Sequence, residues 1–131
     1  MNKKILFLVQ NVLLFFFITQ ANAADPDIVS KLVGSYSNDR GSLEISAKSK
    51  NEIYFNLETV GSNFHTCHVE GIALQKNGYF EFNKNNTVKE ESCRIKIWYI
   101  ANEIDFEDVG YKCKNYYCGA RASIQGVSFS Y

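Results

Sequence analysis

Apolar and polar residues alternate at every second position along most of the chain after residue 33. Ile53, Phe55 and Leu57 form one such run, and residues 93–99 and 103–107 form two more. Because successive strand residues face opposite sides of a sheet, each run predicts a strand with one buried and one solvated face. The predicted strands cover residues 33–37, 42–47, 52–60, 64–74, 79–83, 92–100, 103–109 and 119–130.

Polar residues and glycines separate these runs and predict tight turns. The turn segments are residues 38–41, 48–51, 61–63, 76–78 and 101–102. Short strands joined by short turns predict an all-β antiparallel meander of about eight strands. We favour a small barrel over a sandwich, because closure removes exposed strand edges. The only helical pattern is one turn at residues 27–32, with Ile28, Val29 and Leu32 apolar.

The first 23 residues have the pattern of a secretory signal peptide. Lys3 and Lys4 precede an apolar run, and Ala21 and Ala23 provide the small residues of a cleavage site. Cleavage after Ala23 leaves a single domain, residues 24–131, with no membrane anchor. The predicted location is the periplasm of a bacterium, with secretion as the alternative.

The charge balance argues against a nucleic-acid partner. The whole chain carries 14 basic and 14 acidic residues. Loss of Lys3 and Lys4 leaves the mature domain slightly acidic, whereas nucleic-acid binding calls for a basic surface.

Four cysteines in the mature domain predict two disulfides, as expected of an exported chain. Of the three possible connectivities we favour Cys67–Cys93 with Cys113–Cys118. The second bridge would close a short loop between the last two strands.

Patterns that would indicate catalysis or metal binding are weak. On a strand, His65 and Cys67 share one face while His68 lies on the other, so the three cannot converge on a metal ion. No G-x-S-x-G motif occurs. Most of the acidic residues at 103–108 alternate on one face, which is typical of a solvated strand. The sequence therefore predicts a binding protein that is not an enzyme and uses no metal or cofactor.

The candidate binding residues lie in the cysteine-flanked loop near the C-terminus. A bridge between Cys113 and Cys118 would present Lys114, Tyr116 and Tyr117 on a rigid loop, with Lys112 just before it. Tyrosines on a preordered loop are typical of protein-binding surfaces. The alternative is that the bridge only pins the last strand and that the tyrosines cap the barrel.

Arg121 is the fifth candidate. In a strand starting at Gly119, the residues Ala120, Ala122 and Ile124 would face inward and Arg121 outward. An outward arginine can bind a carboxylate bidentately. We favour an internal partner, Glu107 or Asp108, over a carboxylate of another protein.

The segment CKNYYCGARASIQGVSF, residues 113–129, resembles the C-terminal part of small exported bacterial proteins related to periplasmic lysozyme inhibitors. The G-x-Y at 34–36 and the H-x-C-x-V-x-G at 65–71 extend the resemblance. It implies an all-β barrel that inhibits lysozyme through an inserted loop. The family's S-G-x-x-Y motif is absent, and residues 61–64 and 34–36 match it only in part, so no inhibitory residue is carried over.

If the chain is such an inhibitor, its loop would offer hydroxyl and cationic donors to the two carboxylates of the lysozyme cleft. Two other functions fit the same fold and location. One is an immunity protein that neutralises a secreted antibacterial toxin. The other is a calycin-like barrel that binds a small apolar ligand, although a domain of this size is expected to fill its own interior.

Overall fold

A computed structural model describes residues 27–86 and 92–131 of the chain, so the predicted signal peptide lies outside the described residues. The strands are β1 (Gly34–Asn38), β2 (Gly41–Ser49), β3 (Glu52–Val60), β4 (Thr66–Gln75), β5 (Tyr79–Asn83), β6 (Arg94–Ile100), β7 (Glu103–Asp108) and β8 (Ser128–Ser130). The helices are α1 (Ile28–Leu32) and α2 (Lys114–Tyr117). In this part of the chain, no helix is both long enough and apolar enough to cross a bilayer.

All eight strands belong to one antiparallel sheet whose strand order follows the sequence. This confirms the predicted meander. The sheet curls into a nearly closed barrel in which the side-chain amide of Asn38 in β1 donates a hydrogen bond to the carbonyl of Ser128 in β8, at 2.7 Å. The shortest ladder of paired residues lies between β4 and β5, where Leu74–Glu81 and Gln75–Phe80 pair.

Alternation builds the core as the sequence predicts. Phe55 in β3 lies at the centre, with its ring centroid 5.5 Å from that of Phe82 and 6.1 Å from that of Phe106. Phe129 contacts Phe106 from β8. These rings and the inward aliphatic residues of β2–β7 fill the interior of the barrel.

The predicted helical turn is confirmed as α1, which packs at one end of the barrel. Ile28, Val29 and Leu32 are buried. The hydroxyl of Tyr36 donates to the carbonyl of Leu32 at 2.7 Å, which fixes α1 against β1.

The last predicted strand is wrong over most of its length. Residues 119–130 were expected to be extended, but only Ser128–Ser130 pair with β7. Gly126 takes a left-handed φ of +73° and breaks the extended path. Ala122 and Ile124 are buried as expected, whereas Ala120 is exposed.

The predicted disulfide connectivity is also wrong, although all four cysteines are paired. The bridges are Cys67–Cys118 and Cys93–Cys113. Cys113 and Cys118 flank the four residues of α2, and the five helical steps between them amount to roughly 7 Å along the axis, beyond the usual reach of a disulfide. Cys67 lies in β4 and Cys93 directly before β6, with β5 between these strands. Two inter-strand spacings amount to roughly 10 Å, which again is too far.

Candidate functional site

The two ends of the barrel differ in construction. The end formed by residues 38–41, 60–66, 83–86, 92–94 and 108–127 is called the loop end here. The opposite end, called the turn end, consists of α1 and the connections at residues 49–52, 75–79 and 100–103. All five candidate residues and both disulfides lie at the loop end or directly beside it.

Asp108, the last residue of β7, holds the segment that carries α2. Its carboxylate accepts hydrogen bonds from the backbone N–H groups of Cys113 at 2.9 Å and Lys114 at 3.0 Å. Its own N–H donates to the side-chain oxygen of Gln125 at 2.8 Å. Asp108 is only 2% exposed. Burial raises the pKa of its carboxyl group, and the two backbone donors oppose that rise.

The two candidate tyrosines of α2 have different surroundings. Tyr117 is half-buried with its ring 6.3 Å from that of Phe82, and burial raises the pKa of its hydroxyl. Tyr116 is 58% exposed. The ammonium of Lys84 lies 4.6 Å from the ring centroid of Tyr116 and 5.4 Å from that of Tyr117. Tyr117 therefore packs against the core, and Tyr116 with Lys84 forms a surface group.

The sequence analysis did not predict that Lys84 would be the cation on the rings of Tyr116 and Tyr117. Lys112 is exposed and lies before α2, and Lys114 is partly buried in it. Neither makes a cation–π contact in the described part of the chain, whereas Lys84 comes from the polar connection after β5. Lys84 lies in a polar run of asparagines and lysines, and nothing in that run predicts the contact.

The prediction that Arg121 pairs with Glu107 or Asp108 is wrong. Arg121 lies in a turn, exposed, and not on a strand. Glu107 accepts a hydrogen bond from the indole N–H of Trp98 at 2.8 Å, and Asp108 binds the backbone of residues 113–114. Both carboxylates are therefore occupied elsewhere.

Phe64 is the residue that sequence reasoning placed wrongly, at the start of a strand. β4 begins two residues later, and Phe64 lies at the tip of the β3–β4 hairpin. Asn63 and Phe64 both take left-handed φ angles, +57° and +60°. The N–H of His65 donates to the carbonyl of Ser62 at 3.3 Å, as in a type I′ turn. Phe64 is 92% exposed, the largest value among the exposed large hydrophobic residues.

The base of this hairpin is held on both sides. The N–H of Val60 donates to the carbonyl of Arg40 at 2.9 Å. Gly61 packs so closely on the backbone of Arg121 and Ala122 that an added Cβ would overlap it. On β4, the N–H of Gly119 donates to the carbonyl of Thr66 at 2.9 Å, next to the Cys67–Cys118 bridge. The exposed Phe64 therefore stands on a preorganised support.

A groove of about 420 Å³ lies beside this turn. Its lining residues are Arg40, Val60, Gly61, Ser62, Arg121 and Ser123. Over residues 27–86 and 92–131, neither Arg40 nor Arg121 has an ion pair or a side-chain hydrogen bond. Two unpaired guanidinium groups make this the cationic part of the loop end.

The two histidines and the cysteine of residues 65–68 do not form a metal-binding cluster. Cys67 is in a disulfide, and the side chain of His68 lies 3.0 Å from the amide oxygen of Asn56 on the outer face of the sheet. Among the described residues, no group of three or more histidine, cysteine or acidic side chains could hold a metal ion.

Comparison with protein families, with characterised proteins and with solved structures finds no match to this chain.

Proposed function

We propose that this chain is an exported binding protein that inhibits a cell-wall hydrolase, in the manner of a lysozyme inhibitor. The loop end is the contact surface. The observation that carries the proposal is the Phe64 turn, because a large apolar side chain is displayed to solvent on a backbone that disfavours it. Backbone strain of this kind concentrates at functional sites.

The rigidity of the loop end supports the proposal. Cys67–Cys118 fixes the segment after α2 to β4, Cys93–Cys113 fixes the segment before it, and Asp108 orders the backbone between them. A surface ordered before binding loses little conformational entropy on association. This is the property that a protein needs in order to block a cleft tightly.

The mechanism is steric and electrostatic. The Phe64 hairpin enters the substrate cleft and excludes the sugar chain. The cations of the loop end, including Lys112, Lys114 and Arg121, face the two carboxylates that glycoside hydrolases of this type use. Tyr116 with Lys84 contacts the rim of the cleft, and Tyr117 acts indirectly by supporting α2.

A lysis assay tests the proposal. The oxidised domain, residues 24–131, is titrated against hen-type, goose-type and invertebrate-type lysozymes acting on bacterial cell walls. We expect saturable inhibition of at least one class. The reduced and alkylated domain is the matched control and should not inhibit. Full activity of all three lysozymes in the presence of folded domain would contradict the proposal and favour an immunity protein for a different toxin.

A further inference from the structure

Two hairpins of this barrel use the same left-handed turn with opposite results. At the loop end the pair is Asn63–Phe64, with φ of +57° and +60°. At the turn end the pair is Ala101–Asn102, with φ of +52° and +64°, between the paired residues Ile100 and Glu103. Each turn contains one residue that is neither glycine nor asparagine, although such turns favour those two.

The two unfavoured residues differ in what they display. Ala101 carries only a methyl group, whereas Phe64 holds a full aromatic ring in solvent at 92% exposure. The ring of Phe64 makes no ring–ring or cation–π contact with any described residue. Phe64 therefore combines a disfavoured left-handed backbone with a ring that is almost fully exposed.

The groove next to Phe64 adds charge to this apolar group. Ser62, two residues before Phe64, lines it together with Arg40 and Arg121. Guanidinium groups without an internal partner can bind carboxylates in a planar, bidentate manner.

We infer that Phe64 and the Arg40–Arg121 groove form one two-part anchor for a protein surface on which an apolar pocket lies beside a side-chain carboxylate. The ring of Phe64 fills the pocket, and the two arginines bind the carboxylate. This inference deepens the proposed function and rests on it for the identity of the partner.

The surroundings of the groove favour a local carboxylate over a phosphate polymer. The outer faces of β2, β3 and β4 carry Glu44, Glu58 and Glu70, and the whole chain has no net positive charge. These acidic side chains would repel a nucleic acid or a phosphate-rich polymer. A single carboxylate held between two arginines would not be repelled, because its charge is compensated within the groove.

The groove is tested by nuclear magnetic resonance with glutarate as the probe. We expect saturable shifts of the side-chain N–H signals of Arg40 and Arg121, and their loss in Arg40→Gln and Arg121→Gln. Arg94 is the internal control, since it lies 3.7 Å from the carboxylate of Glu81. Shifts of Arg40 and Arg121 no larger than those of Arg94 would overturn the inference. Stronger binding of inorganic phosphate than of glutarate would overturn the choice of a carboxylate.

The ring is tested with Phe64→Gly against the lysozyme class that the wild type inhibits. Loss of a central aromatic anchor should weaken inhibition at least about 30-fold. Ala101→Gly makes the same backbone change at the turn end and should leave inhibition unchanged. Ile100→Ala removes an apolar side chain that is 63% exposed at the turn end and should also have no effect.

The two proposals fail separately. Wild-type inhibition that Phe64→Gly retains in full would overturn the anchor and leave the proposed function standing. A wild type that inhibits no lysozyme would overturn the proposed function, and the glutarate titration would then decide the anchor alone. Glycine tolerates positive φ, so Phe64→Gly should fold, and an unchanged amide spectrum outside residues 60–66 verifies this.

Discussion

The turn end and the loop end of this barrel close the same eight strands by different means. At the turn end, connections of two or three residues join the strands, and α1 buries three apolar side chains over the opening. At the loop end, long irregular segments are held by two disulfides and by the carboxylate of Asp108. Local turn chemistry stabilises one end, and long-range links stabilise the other.

This difference separates folding from function. The turn end displays small or polar residues at most of its tips, and its geometry follows from the strands alone. The loop end keeps two unpaired arginines and several aromatic rings in solvent, those of Phe64 and Tyr116 among them, and covalent bridges hold the segments around them. Disulfides allow a loop to remain ordered without burying the residues that it displays.

Removal of the disulfides should have the largest effect and should fall mainly on the loop end. The chain-entropy model gives about 4 kcal/mol for Cys67–Cys118, with a separation of 51 residues, and about 3 kcal/mol for Cys93–Cys113, with a separation of 20. We expect the paired alanine substitutions to lose stability in that order in urea unfolding. Hydrogen exchange should show greater loss of protection at the loop end, and equal loss at both ends would contradict the comparison.

Loss of the Asp108 carboxylate should rank next. Asp108→Ala leaves one buried and one partly buried backbone N–H group without an acceptor, which should cost about 3 kcal/mol of the free energy of unfolding. Asp105→Ala, on the outward side of the same strand, is the control and should cost less than about 0.5 kcal/mol. Similar losses in the two variants would show that the hydrogen bonds of Asp108 contribute little.

The titration of Asp108 should also make the free energy of unfolding of the wild type depend on pH. Burial raises the pKa of Asp108 above its usual value of 3.8, so the folded state retains this proton to a higher pH than the unfolded state. Stability from this group therefore falls as pH rises from near 3.8 through the raised pKa, and is constant above it. Asparagine does not titrate in this range. The stability of the wild type relative to Asp108→Asn should therefore fall as pH rises over this window and then level off.

Substitutions of Gly61 at the loop end and Gly78 at the turn end test how closely each end is packed. An alanine Cβ at Gly61 would overlap the backbone of Arg121, whereas at Gly78 the nearest atom of the rest of the fold is 4.0 Å away on Trp98. Gly61→Ala should cost about 2 kcal/mol through overpacking. Gly78→Ala should cost about 1 kcal/mol through its φ of +89° alone. Equal losses in urea unfolding would mean that the hairpin base is not held by residues 121–122.

The smallest effect should be a gain in stability. Phe64→Gly and Ala101→Gly each replace a disfavoured left-handed residue, and each should raise the free energy of unfolding by about 0.5 kcal/mol. Differential scanning calorimetry checks the direction. A clear destabilisation by Phe64→Gly alone would show that the ring contributes packing, and would remove the reason to assign it to binding.

The strands could be predicted from the sequence because their signal is local. Alternation at residues 52–60 and 103–108 places the inward and outward residues correctly, and asparagines and glycines mark the turns between them. The same rule failed at residues 119–127. There, Gly126 and the Cys118 bridge override an alternation that continues through Ala122 and Ile124.

The candidate site was harder to predict because its contacts are between distant residues. The sequence singled out Arg121, but its neighbour Arg40 lies 81 positions away and reaches the groove only through the β1–β2 turn. The Gly-Ser-Asn run at residues 61–63 signalled a turn but did not show that Phe64 belongs to it. Cysteine pairing could not be deduced either, since four cysteines allow three connectivities.

The Cys93–Cys113 bridge lies within the loop that Cys67–Cys118 closes, so the order in which the cysteines are oxidised should affect the yield of folded protein. Cys67 and Cys93 are synthesised first, and Cys113 and Cys118 span the shortest loop, yet the folded chain contains neither pairing. The pairing that closes the shortest loop is therefore a wrong one, and short loops close most readily. Rapid oxidation should trap mispaired chains that only thiol exchange can rescue. We expect the yield of native protein to depend on a disulfide isomerase, and expression with and without one checks this.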